Sequence, residues 1–81
     1  MMMQIRLFAG ARQAAGSDSV CVTLPDLATV VDLRRALADQ CPALSAWQPH
    51  LLIAVNQQYA PDDQPLAASD EVACFPPVSG G

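Results

Sequence analysis

The residues with the most distinctive chemistry close the sequence, which ends Pro76-Pro77-Val78-Ser79-Gly80-Gly81. Two prolines favour a stiff, extended segment, and two glycines without Cβ atoms fit a channel too narrow for side chains. Six extended residues reach at most ~20 Å. The α-carboxylate of Gly81 is ionised and inert at neutral pH, so it would need activation by another enzyme, for example by adenylation. These features predict an extended, flexible tail at residues 76–81, although a Gly-Gly end is also typical of frayed termini without a function.

The other reactive side chains form no catalytic or metal-binding pattern. Cys21, Cys41 and Cys74 are odd in number, widely separated and without C-x₂-C spacing, which indicates reduced thiols rather than a disulfide or zinc site. Cys21 and Cys74 fall in apolar, strand-like segments and are expected in the core. His50, the only histidine, has no nearby nucleophile in the sequence and is expected at the surface. We therefore expect no metal, no bound cofactor and no complete active site in this chain.

Length and charge exclude several classes of protein. Eighty-one residues make one domain, which buries roughly 60% of the surface that its unfolded chain exposes. The net charge of −4 argues against nucleic-acid binding, and all four basic residues are arginines, so no side-chain amine is present. No apolar run approaches the ~20 residues that span a bilayer, and no signal peptide is recognisable. We expect a cytoplasmic protein without membrane contact.

Strand-like segments flank one amphipathic helix. Thr29 and Asp32 match a capping box, apolar residues then recur at helical spacing, and Pro42 ends the helix. The Ala- and Gly-rich residues 10–16 predict a loop or a short helical turn. Strands are predicted at residues 3–8, 19–24, 51–55, 59–60 and 70–75. This order predicts an α+β domain at residues 1–75, with a mixed sheet of about five strands and one main helix on one face.

Both phenylalanines fall on the polar side of their predicted strands. Phe8 shares a face with Gln4 and Arg6, and Phe75 shares one with Glu71. An aromatic pair outside the core is a plausible hot spot for a protein partner. Alternatively, one strand is buried on both faces or carries a bulge that re-aims its ring.

The run Asp70-Glu-Val-Ala-Cys-Phe-Pro-Pro-Val-Ser-Gly-Gly81 resembles the end of the molybdopterin synthase small subunit. The segments Ile5-Arg-Leu-Phe-Ala9, Thr29-Val-Val-Asp-Leu33 and Leu51–Gln57 agree with the same family, so the resemblance covers essentially the whole chain. Phe-Pro-Pro-Val-x-Gly-Gly is specific within the wider ubiquitin-like group. The resemblance implies a ubiquitin-like β-grasp fold.

The resemblance also implies a definite chemistry. In the family, a ubiquitin-activating-type adenylyltransferase uses ATP to adenylate the terminal glycine, and a donor such as a cysteine desulfurase supplies sulfur for a C-terminal thiocarboxylate. The charged carrier donates that sulfur to cyclic pyranopterin monophosphate in the large subunit of a heterotetramer. Gly81 would carry the sulfur and Gly80 would allow passage into the channel. The implied partner-binding residues are Phe8, Tyr59, Phe75, Pro76, Pro77, Val78 and Ser79, with Tyr59 standing where the family usually has an aliphatic residue.

Two other functions remain compatible with the same residues. A sulfur carrier for thiamine, cysteine or tRNA thiolation would share the terminal Gly-Gly but use another partner. A ubiquitin-like modifier would instead form adducts with lysines of target proteins. A passive interaction module would only bind other proteins.

Overall fold

The structure is a computed structural model that describes residues 1–45 and 50–76. The elements are strands β1 (Met2–Leu7), β2 (Ser19–Thr23), β3 (Leu52–Val55), β4 (Gln58–Tyr59) and β5 (Val72–Phe75), helices α1 (Ala9–Ala15) and α2 (Val30–Gln40), and a 3₁₀ turn at Pro42–Leu44. Neither described helix is long and apolar enough to cross a membrane.

One mixed sheet contains all five strands, in the order β2-β1-β5-β3-β4. β1 and β5 are parallel, with Ile5 opposite Val72 and Leu7 opposite Cys74. The other neighbouring pairs are antiparallel. The strand nearest the end of the sequence therefore lies in the middle of the sheet. This arrangement confirms the predicted α+β class, the mixed five-stranded sheet and the single main helix.

Helix α2 begins with the predicted capping box. The Asp32 carboxylate accepts hydrogen bonds from the main-chain N–H of Thr29 at 2.9 Å and from its hydroxyl at 3.3 Å. These bonds satisfy groups that the first helical turn leaves without intrahelical partners. The helix ends at Gln40, two residues before Pro42, because proline disfavours helical geometry in the residue that precedes it.

The hydrophobic core lies on one face of the sheet. Along β1, exposed and buried residues alternate strictly, and Met3, Ile5 and Leu7 point inward. Helix α2 covers this face with Val30, Leu33 and other apolar side chains. The opposite face of the sheet carries Gln4, Arg6 and the residues that share their parity. Among residues 1–45 and 50–76, no helix covers this second face, which we call the open face.

Helix α1 is longer than the sequence predicted. Residues 10–16 were expected to form a loop or a short helical turn, and Ala9–Ala15 form a longer helix of seven residues that ends at Gly16 in the left-handed region, with φ of 73°. The helix buries one residue, Ala11. A seven-residue segment of small side chains has too little apolar periodicity to predict, and its stability comes from packing on the core.

The expectation that Cys21 lies in the core is wrong, because its side chain is exposed. Val22 points into the core opposite Met3, whereas Cys21 pairs with Gln4 on the open face. Alternation along β2 therefore assigns Cys21 to the polar side of an edge strand. Cys74, in contrast, is buried as predicted.

Candidate functional site

Three aromatic side chains meet on the open face of the sheet. The rings of Phe8 and Phe75 are stacked, with centroids 4.8 Å apart and planes inclined by 11°. Tyr59 approaches Phe75 edge-on, with centroids 6.2 Å apart and planes at 76°. Offset stacks and edge-to-face pairs at these distances are the favourable arrangements of aromatic rings. We call Phe8, Tyr59 and Phe75 the aromatic cluster.

Strand order explains why these residues meet. Phe8 directly follows β1, and its main-chain N–H donates to the carbonyl oxygen of Cys74 at 3.2 Å, so it continues the parallel pairing with β5. Phe75 ends β5 and therefore lies beside Phe8 on the same face. Both residues are half-buried, and each ring covers part of the other.

Tyr59 reaches the cluster through a tight hairpin. Asn56 and Gln57 both have positive φ, 52° and 71°, which matches the two-residue turn that reverses a twisted strand. The turn places Tyr59 opposite Ala54 of β3. Tyr59 is 70% exposed, which makes it the most accessible member of the aromatic cluster.

A groove of about 390 Å³ runs along the sheet beside the aromatic cluster. Ala54 and Ala73 are direct cross-strand neighbours in this region, and their small side chains leave room above the sheet. The sequence analysis missed the two alanines, although strand parity already placed Arg6 and Glu71 on this face. The groove is lined by Arg6, Phe8, Ala54, Gln57, Tyr59, Glu71, Val72, Ala73 and Phe75.

The thiols offer little catalytic chemistry. Burial raises the pKa of the Cys74 thiol to about 11, an effect that the positive charge of Arg34 partly offsets. Cys74 therefore stays protonated at neutral pH and is a poor nucleophile. Cys21 is exposed, Cys41 is half-buried, and all three thiols are free. His50 is exposed, as predicted.

No group of three His, Cys, Asp or Glu residues is placed to hold a metal ion within residues 1–45 and 50–76. In the same part of the chain, every buried side-chain nitrogen or oxygen has a hydrogen-bond partner.

The structure therefore brings together three of the predicted partner-binding residues, Phe8, Tyr59 and Phe75. Pro76 follows Phe75 directly and is half-buried. The remaining predicted site residues, Pro77, Val78, Ser79, Gly80 and Gly81, lie outside the described residues. Their roles, and the proposed boundary between a domain and a tail at residue 76, remain predictions.

Comparison with known proteins places this geometry in a family. The sequence profile of the ThiS family matches residues 5–81. The molybdopterin synthase sulfur carrier subunit of Escherichia coli is 43% identical, and the alignment covers 99% of this chain and 100% of the relative. Small archaeal modifier protein 1 of Haloferax volcanii is 38% identical, over 98% of this chain and 100% of the relative.

The fold has close counterparts among solved structures. The crystal structure of SAMP1 from Haloferax volcanii superimposes with a TM-score of 0.83 at 38% identity, and the match covers all of both chains. This likeness confirms the ubiquitin-like β-grasp fold that the sequence resemblance implied.

Proposed function

The chain belongs to the ThiS family, and from this membership we propose that it is a sulfur carrier of molybdenum cofactor biosynthesis. In this proposal it is the small, sulfur-donating subunit of molybdopterin synthase and works in the cytoplasm with a large subunit that supplies the rest of the active site. The observation that carries the proposal is full-length similarity to molybdopterin synthase sulfur carrier subunits, at 43% identity in the Escherichia coli protein.

We propose that the carboxylate of Gly81 is the group that carries sulfur. A ubiquitin-activating-type adenylyltransferase joins the carboxylate to AMP and releases pyrophosphate from ATP. Persulfide sulfur from a donor such as a cysteine desulfurase then displaces AMP, and a thiol reduces the resulting acyl disulfide to a thiocarboxylate. Adenylation is needed because the negative charge of a carboxylate repels nucleophiles and its oxygen is a poor leaving group. In the large subunit, the thiocarboxylate sulfur attacks cyclic pyranopterin monophosphate, and water then cleaves the acyl–sulfur bond and returns Gly81 as a carboxylate. Two such transfers form the dithiolene.

The described part of the chain supports a carrier rather than an independent enzyme. Its most buried thiol, Cys74, is held protonated by burial, and His50 is exposed. The second face of the sheet instead carries the aromatic cluster among polar side chains, and aromatic residues are typical anchors of protein interfaces. Pro76 continues directly from this cluster, so the run that ends at Gly81 starts beside the proposed docking surface.

Mass spectrometry of the intact protein tests the proposal. After incubation with the activating enzyme, ATP and a sulfur donor, the chain should gain the mass difference between sulfur and oxygen, located at Gly81. The gain should persist after treatment with a thiol reductant, because a thiocarboxylate is not a disulfide or persulfide. No gain under conditions that charge a known carrier would contradict the proposal.

Two variants separate sulfur at the carboxylate from sulfur on a side chain. Deleting Gly81 should abolish the mass gain, and circular dichroism should show the fold retained. Replacing Cys21, the exposed thiol, by serine should leave the mass gain unchanged. A persulfide on Cys21 would instead add a whole sulfur atom that the reductant removes, so a gain of that kind, absent in Cys21→Ser, would contradict the proposal.

Protein modification is a second candidate function, favoured by the 38% identity to small archaeal modifier protein 1. A modifier would form an isopeptide bond between Gly81 and lysines of other proteins. Such adducts would survive reductants and require the activating enzyme and ATP. A carrier alone would give the thiocarboxylate and no lysine adduct when a cell extract is supplied.

A further inference from the structure

Arg6 lies on the open face, two residues before Phe8 on the same strand. Its guanidinium carbon lies 5.6 Å from the centroid of the Phe8 ring, within range of a cation–π interaction. The ion pairs found in the described residues are Arg12 with Asp18 and Arg34 with Asp62. Within residues 1–45 and 50–76, Arg6 therefore has no carboxylate partner, although the chain carries a net charge of −4.

The position of Arg6 suits recognition of an acidic group. Arg6 lies opposite Ala73, and both line the groove beside the aromatic cluster. The acidic residue of the groove, Glu71, directly precedes β5 and lies further along the chain from Phe75 than Ala73 does. A partner that covers the aromatic cluster would exclude water around the guanidinium, and an unpaired charge in such a place is costly. A carboxylate from the partner would remove that cost with a charge-assisted hydrogen bond.

We propose that Arg6 binds a carboxylate on the molybdopterin synthase large subunit and thereby steers and orients the docking of the aromatic cluster. This inference rests on the proposed function, since it adds one charge contact to the interface which that function requires. Charges at the rim of an interface act mainly on the association rate and its salt dependence. Arginine fits this position because it stacks on the Phe8 ring and still presents N–H groups to an acid.

Association kinetics with the purified large subunit test the role of Arg6. Arg6→Glu should lower the association rate constant about tenfold at low ionic strength, and the difference should shrink as salt is added. Arg6→Lys should retain most of the rate because it keeps the positive charge. Glu71→Gln should leave the rate unchanged or raise it.

Arg35→Glu is the matched control. Arg35 is exposed on α2, the helix that covers the opposite face of the sheet, and its reversal changes the net charge by the same amount. Equal loss of rate in Arg6→Glu and Arg35→Glu would overturn the inference, because net charge alone would then explain both. If the wild-type chain fails to bind the large subunit, the proposed function falls together with the inference.

An independent observation concerns the free edge of β2. Leu24 exchanges main-chain hydrogen bonds with Met1, and Leu7 donates to Asp18. In an antiparallel pair, the main-chain N–H and C=O groups of successive residues point alternately toward the partner strand and away from it. The N–H and C=O groups of Ser19, Cys21 and Thr23 therefore point away from β1. An edge strand with such unpaired groups is a template for pairing with another chain.

Side chains occupy two of these three edge positions. The Gln40 side chain accepts the N–H of Thr23 at 2.9 Å and donates to its carbonyl oxygen at 3.0 Å. The Ser17 hydroxyl donates to the carbonyl oxygen of Ser19 at 2.7 Å and accepts its N–H at 3.3 Å. The Gln40 amide thus makes the two bonds that a residue of a sixth strand would make.

We infer that Gln40 and Ser17 close the β2 edge to strand pairing and keep copies of this chain from associating there. Gln40→Ala should speed hydrogen exchange at the Thr23 amide at least tenfold and produce concentration-dependent dimers in sedimentation velocity, while the wild type stays monomeric. Asp39→Ala, one residue away and exposed, should change neither measurement. Unchanged exchange, an exclusively monomeric Gln40→Ala variant, or equal association of Asp39→Ala would each overturn the inference.

Discussion

Two hydrogen bonds join Asn56 to Glu71. The main-chain N–H of Asn56 donates to the carbonyl oxygen of Glu71 at 2.7 Å, and the main-chain N–H of Glu71 donates to the Asn56 side-chain oxygen at 3.0 Å. The Asn56 amide nitrogen also donates to the Asp70 carboxylate at 3.0 Å. The β3–β4 turn is therefore tied to the residues that lead into β5.

Replacing Gln57 by glycine should stabilise the protein. Gln57 holds φ of 71° in the turn, where a residue with a Cβ costs roughly 1–2 kcal/mol and glycine costs little. Because glycine also raises the entropy of the unfolded chain, we expect a net gain of about 0.5–1 kcal/mol in the free energy of unfolding. Urea denaturation measures this change in the free energy of unfolding. Gln58→Gly, in the adjacent strand, should destabilise the protein instead.

Replacing Phe75 by aspartate should greatly weaken binding of the large subunit without unfolding the domain. The ring contributes to the stack with Phe8 and to the groove wall, and a charge there would be desolvated on docking. Affinity should fall by roughly a hundredfold, the loss typical of an aromatic hot spot. Calorimetry measures the affinity, and circular dichroism checks the fold.

Leu27→Asp is the control for that measurement. Leu27 is 92% exposed in the loop before α2, so the change also replaces an accessible apolar side chain by an acid. It should leave the affinity unchanged. Comparable losses in Leu27→Asp and Phe75→Asp would show that the aromatic cluster is not the docking surface.

Stability should fall at alkaline pH because of Cys74. Its folded pKa is about 11, compared with an ordinary value of 9.0, so the unfolded state loses the proton first. The free energy of unfolding should therefore decrease between pH 9 and 11, by at most about 1.4 kcal/mol per pH unit, and stability from this group is intact below pH 9. Denaturation of Cys74→Ala across the same range should show a shallower decline. Parallel curves for the two proteins would contradict the prediction.

Removing the capping box should destabilise helix α2. Thr29→Ala and Asp32→Ala should each cost about 1 kcal/mol, and the double variant should cost less than the sum because the two side chains share one interaction. Asp39→Ala, near the other end of the helix, should be neutral or slightly stabilising, since an acid there opposes the helix dipole. Thermal or urea denaturation distinguishes these outcomes.

The sequence was most informative where a local signal agreed with burial. The capping box and the spacing of Val30, Leu33 and Leu37 located α2, and strict alternation located β1 and both of its faces. The same alternation placed Phe8 and Phe75 outside the core, as the structure shows. These features are determined by residues close together in the sequence, so the periodic pattern of apolar and polar residues predicts them directly.

The missed features depend on tertiary packing. Helix α1 has little apolar periodicity, and the exposure of Cys21 follows from its pairing with Gln4 in an edge strand. The groove requires Ala54 opposite Ala73, a cross-strand pairing that no local signal contains. Likewise, the contact of Tyr59 with Phe75 arises only after β4, β3 and β5 have assembled.

Because β5 lies in the middle of the sheet, the stack of Phe8 on Phe75 depends on that strand. The β1–β2 and β3–β4 hairpins are joined in the sheet through β5 alone, and Phe8 meets Phe75 only when that strand is in place. A nascent, damaged or clipped copy that lacks residues 72–75 cannot display the stacked rings. A protein that recognises the stacked rings would therefore bind only a chain in which β5 is complete and paired.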